Sequence, residues 1–143
     1  MVYTTAIELL EKWTRDCLKR KKSLATVFSS KKIDAYLQRY ISGIDASRIV
    51  TDFEYNSELQ KIALNIWVDE STIKGELPEY LVEWLQVNHK ENKTFAQIFR
   101  RFRFQSFIHK NFKAVSVKDA TAAYMNKDMQ TLMAKAWLGN IND

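Results

Sequence analysis

Apolar side chains recur at helical spacing through the first part of the chain. Ala6, Leu9, Leu10, Trp13 and Cys17 fall on one stripe, the signature of a helix with a single buried face. Thr5 and Glu8 ahead of it have the spacing of a capping box. Lys19, Arg20, Lys21 and Lys22 follow it, favourable at the carbonyl end of a helix dipole. Together they predict a first helix over residues 5–21. A second is predicted to open at Ser30, to bury Ile33, Tyr36, Leu37, Tyr40 and Ile41, and to stop at Gly43.

The period then changes. Ile49, Thr51, Phe53 and Tyr55 alternate with polar neighbours, and after Asn56 and Ser57 the residues Ile62, Leu64, Ile66 and Val68 alternate again. Period two in β-branched and aromatic residues predicts an antiparallel hairpin over residues 48–68. Its competitor is a pair of short helices burying Ile62, Ala63 and Ile66. Beyond it, Pro78 suits the first turn of a helix with Glu76 and Glu79 at the positive end, His89 and Lys90 at the negative end, and Leu77, Tyr80, Leu81, Trp84 and Leu85 inside. A short helix from Thr94 would bury Phe95, Ile98, Phe99 and Phe102. After Phe102 the stripe fails, and Phe102, Phe104 and Ile108 opposite Arg101 and Arg103 would suit a strand. Ser116 and Asp119 mark another helix start, and a last helical region reaches Gly139 with a break near Asn126.

These elements predict one domain over residues 1–143, α+β and mainly helical, with one or two antiparallel β-hairpins; the alternative is all-α. The 143 residues are 46% apolar and 27% charged, enough to form a core. The three glycines lie more than thirty residues apart, which excludes a glycine-rich phosphate loop. One cysteine and two histidines exclude an intrachain disulfide and argue against a zinc site. Asp69 with Glu70, and Asp52 with Glu54, have no further ligands at metal spacing and read as solvated carboxylates. No cofactor is implied. The longest apolar run is Ala122 to Met125, so neither a membrane span nor a signal-peptide core is expected, and a reducing, soluble, cytoplasmic setting fits.

Charge is laid out in blocks. Residues 1–44 carry a net +5, residues 45–91 a net −6, and residues 92–143 a net +6. Opposite blocks can face each other within one chain, or meet on a second copy or a protein partner. The segment from Arg100 to Lys113 is the densest candidate for function. Arg100, Arg101, Arg103, Lys110 and Lys113 supply five cations, His109 a sixth polar group, and four phenylalanines are interleaved with no acid. Cations for phosphates and ring faces for bases are what a single-stranded nucleic acid needs. The plainer interpretation is an amphipathic core element. Lys19, Arg20, Lys21 and Lys22 form the second basic patch.

Arg103 and His109, with five residues between them, resemble the loose arginine-to-histidine spacing of HEPN ribonuclease families, and the stretch from Phe112 to Asp119 has a similar texture. That resemblance implies metal-independent RNA cleavage, with a neutral His109 taking a 2′-hydroxyl proton while Arg103 holds the phosphate. Phe104 departs from it, because a polar residue usually follows the arginine there. Thr94, Phe95, Gln97, Ile98 and Phe102 also resemble, over nine residues, a helix of flexuous filamentous plant-virus coat proteins. Neither resemblance amounts to membership. The leading expectation is a non-enzymatic nucleic-acid-binding protein using the basic-aromatic segment. The alternatives are a subunit or adaptor of a protein assembly, viral or phage structural components included, and a metal-independent ribonuclease.

Overall fold

The computed structural model describes residues 2–139, and every regular element in them is a helix. The chain divides into two compact units at Ser71 and Thr72. The first holds α1 (Val2–Lys19), α2 (Leu24–Val27), α3 (Ser30–Leu37), α4 (Gly43–Tyr55) and α5 (Ser57–Asp69). The second holds α6 (Glu79–Lys90), a 3-10 helix (Phe95–Phe99), α7 (Arg101–Asn111), α8 (Val117–Tyr124) and α9 (Lys127–Leu138). No described helix is long and apolar enough to cross a membrane.

The fold is all-helical, which corrects the α+β expectation. No strand occurs among the described residues, and 48–68 is the antiparallel-hairpin region only in its sequence pattern. Ala46, Ile49 and Phe53 turn inward on α4, and Leu59, Ala63, Leu64 and Trp67 on α5. Thr51 and Tyr55, needed inside by the hairpin, are exposed. Local capping outweighs β propensity here, which is a weak prior set by context. Ser42 accepts from the Asp45 amide at 3.2 Å and so opens α4, where Gly43 had suggested a stop. Asn56 accepts from the Glu58 and Leu59 amides at 2.9 and 3.1 Å. The Asn56-Ser57 pair is therefore a helix N-cap and not a hairpin turn. The buried Gln60 amide then donates to the Phe53 and Glu54 carbonyls at 2.7 and 2.9 Å, which ties the end of α4 to α5.

In the first unit α1 lies along α5 and α3 against α4. The stripe Ala6, Leu10, Trp13 and Cys17 is buried as its spacing predicts. The Trp13 indole N–H donates to the Val27 carbonyl at 2.9 Å, and Phe28 stacks on Phe53 with ring centres 5.1 Å apart. Because α1 starts at Val2, Thr5 sits inside the helix and not at its cap. Burial, more than the nearby Asp16, pushes the Cys17 thiol up to about 12. Cys17 is a core side chain without a reactive thiolate.

In the second unit Pro78 occupies the N-cap position of α6. Ser116 accepts from the Asp119 amide to open α8, and Asn126 caps α9. The Ser116 start and the break at Asn126 agree with the sequence, whereas Pro78 stands just ahead of the first turn. The core is aromatic: Phe104 stacks on Tyr124 at 4.1 Å, and Trp84 meets Phe104 and Phe107 edge-on or tilted. The Ile98 carbonyl accepts from both the Trp84 indole, at 3.1 Å, and the Tyr124 hydroxyl, at 2.7 Å. One backbone oxygen thus pins α6 and α8 to the 3-10 segment.

Candidate nucleic-acid interface

Residues 100–113 form one helix with its flanks, not a strand. Thr94 and Gln97 make a capping box at the start of the 3-10 helix, which buries Phe95 and Ile98. Arg100 is then extended, with φ −88° and ψ 95°, and α7 begins at Arg101. That break resets the helical phase. A continuous stripe from Phe95 would bury Phe102, whereas Phe102 is 85% exposed and Phe104 and Ile108 are buried instead. Phe102, Ser106, His109 and Lys110 fall on the outward side of α7, about 12 Å from end to end at 1.5 Å per residue. All four are exposed, as are Arg101 and, just past the helix, Lys113.

The amino end of α7 carries unusual charge for its place. No acid occurs in the first turn, the cap residue Arg100 makes no side-chain cap bond, and Arg101 and Arg103 follow. First-turn amides lack helical acceptors and create positive potential, so carboxylates belong there and arginines are unfavourable. An anion at this end would reverse that penalty. Read from the sequence, no acid occurs between Asn92 and Lys118. The second unit has 11 basic and 7 acidic residues against 11 and 10 in the first. Most of the net charge therefore belongs to the unit that contains α7.

Arg103 differs from its neighbours. Its guanidinium donates to Asn88 Oδ1 at 3.0 Å and to the Gln97 carbonyl at 3.3 Å, and lies 5.2 Å from the Trp84 ring centre. Its partners are these, not Glu76, Glu79 or Glu83. Asn88 is fully buried and its own amide donates to the Trp84 carbonyl at 2.7 Å. Burial holds the Tyr124 hydroxyl well above the usual phenol range, while Arg103 and Arg101 pull it the other way. Arg103 is thus a structural cation within the core rim. The structure does not bring it to His109: six positions along a helix separate side chains by about 9 Å and about 120°. Arg103 points to α6, and His109 is exposed.

Lys19, Arg20, Lys21 and Lys22 are all exposed and close α1. The Lys22 amide donates to the Cys17 carbonyl at 2.9 Å and the Lys21 amide to the Leu18 carbonyl at 3.0 Å. This is a Schellman cap with Lys21 in the left-handed region at φ 57°. The run therefore has a complete structural role at a helix end. It lies in the first unit, whereas residues 100–113 lie in the second.

Sequence periodicity missed Phe102, because only the break at Arg100 turns it outward. No protein-family model matches this chain, and no curated protein or solved structure matches it.

Proposed function

We propose that the second unit is a non-enzymatic module that binds single-stranded nucleic acid along the outward face of α7. The observation that carries this is Phe102, an aromatic ring 85% exposed among Arg101, His109 and Lys110. A lone exposed apolar side chain is ordinary. A ring set between cations on a helix that carries no acid has the chemistry of a base-stacking platform flanked by phosphate contacts. In this reading Arg101 and the amino end of α7 take one phosphate, Phe102 stacks a base, and His109, Lys110 and Lys113 follow the backbone onward. Phe102→Ala removes the platform and no charge. It should weaken binding of a labelled single strand by about 5- to 100-fold and leave the salt dependence as it was. Equal affinity of the two proteins, measured by fluorescence anisotropy, would remove Phe102 from the interface.

A second reading, a subunit held in an assembly by complementary charge, is favoured by the first unit. Ile44 and Tyr55 are exposed on α4, whose exposed residues also include Asp45 and Asp52. Contacts of this kind should loosen as salt screens them. Sedimentation should then show association in dilute buffer that is lost in molar salt; an unchanged profile would exclude this reading.

A further inference from the structure

Where α7 ends, the chain leaves a hollow of about 280 Å³ lined by His109, Phe112, Lys113, Val115 and Val117. We propose that this hollow seats one unpaired nucleobase, so that the interface selects single strands over duplexes. The inference rests on the reading of α7 as a nucleic-acid-binding face and adds a specificity site to it.

Size, lining and charge each support this occupant. The hollow has the space of about nine waters at ~30 Å³ each, and a cavity of about 150 Å³ already admits benzene. A nucleobase has a similar number of heavy atoms. Its walls are Phe112, Val115 and Val117, with His109 and Lys113 as the polar lining. Apolar walls that include an aromatic side chain suit a base, and the Lys113 cation suits a neighbouring phosphate. Phe112 is held by its neighbours: its ring lies 5.9 Å from that of Phe107 and 6.3 Å from that of Tyr80. The backbone then turns, with the Val115 amide donating to the Phe112 carbonyl at 2.9 Å, and α8 starts at Val117. Lys113 is the cation of this lining, and the amino end of α8 at Val117 borders it. The first acid beyond this stretch, Asp119, lies near Tyr80, whose hydroxyl is raised by burial first and Asp119 second. A paired base offers only its edge in a groove, so a site for the whole ring requires an unpaired one.

The test uses the full chain and three probes: a labelled DNA single strand, the same strand with reduced abasic sites in place of bases, and a duplex. Val115→Trp fills the hollow and alters no charge. It should lower affinity for the base-bearing strand about tenfold, without changing affinity for the abasic strand or the salt dependence. A second comparison does not depend on that variant folding. With Phe102→Ala removing the other platform, the base-bearing strand should still bind about fivefold or more tightly than the abasic one. Equal affinity of the Phe102→Ala protein for both strands would overturn the inference, as would unchanged binding by folded Val115→Trp, or duplex binding as tight as single-strand binding. If the wild-type chain binds none of the three probes at low salt, the reading of the α7 face fails and this inference fails with it.

Discussion

Replacing Arg103 with Gln should destabilise the second unit by about 3 kcal/mol, although Arg103 belongs to the most basic segment of the chain. The side chain makes charge-assisted hydrogen bonds to Asn88 Oδ1 and the Gln97 carbonyl and lies against the Trp84 ring. A hydrogen bond to a charged group contributes about 1.5–3 kcal/mol, a buried acceptor left alone costs about 1–3 kcal/mol, and a cation–ring contact adds about 0.5–2 kcal/mol. Because Asn88 is fully buried, its oxygen cannot turn to water when the partner is lost. These terms overlap, so the expected loss is the low end of their sum, about 3 kcal/mol. For a unit of this size that is a fall of roughly 12–24 °C in Tm. Arg103→Lys should recover little, since an ammonium cannot reproduce the two-armed donation of a guanidinium. A thermal melt followed by circular dichroism checks this; an unchanged Tm in Arg103→Gln would show that Arg103 is free of the core.

Much of the fold was legible wherever a helix carried both a stripe and an end signal. Ala6, Leu10, Trp13 and Cys17 are buried as their spacing predicts, and Ser116 and Asn126 start α8 and α9. The region 48–68 misled because its β-branched and aromatic residues recur at a spacing of two on two helices. Alternation from Ile49 to Tyr55 mixes the buried Ile49 and Phe53 with the exposed Thr51 and Tyr55. The decisive signals there were Ser42 and Asn56, small polar residues whose role as caps depends on the helices that follow. For the interface, composition singled out residues 100–113 but could not sort their side chains. The extended backbone at Arg100 sends Phe102 to solvent and Phe104 inward. The contact that removes Arg103 from the candidate set is with Asn88, fifteen residues away in sequence and on another helix. Single-sequence periodicity carries no information about such a pair.

The cations that remain for a phosphate backbone are those without a core partner. Arg101, Lys110 and Lys113 are exposed, and replacing all three with Gln leaves the Phe104, Ile108 and Tyr124 packing untouched. The fold should therefore keep its Tm to within a few degrees. Loss of Arg101 even removes a cation from the wrong end of a helix dipole, a small stabilising change. Binding should change greatly. Each lost phosphate contact removes about 0.7 released counterions on a single strand, so three contacts account for about 2 units of slope in log affinity against log salt.

That slope is the most direct test that the α7 face meets phosphates. Anisotropy titrations of one labelled single strand against the wild-type chain and the Arg101, Lys110 and Lys113 triple-Gln variant, at a series of salt concentrations, give both lines on one plot. The account predicts binding by the wild type at low salt, a linear decline as salt rises, and a variant line flatter by up to about 2 units from a protein that is still folded. Parallel lines from two folded proteins, or no wild-type binding at the lowest salt, would contradict it.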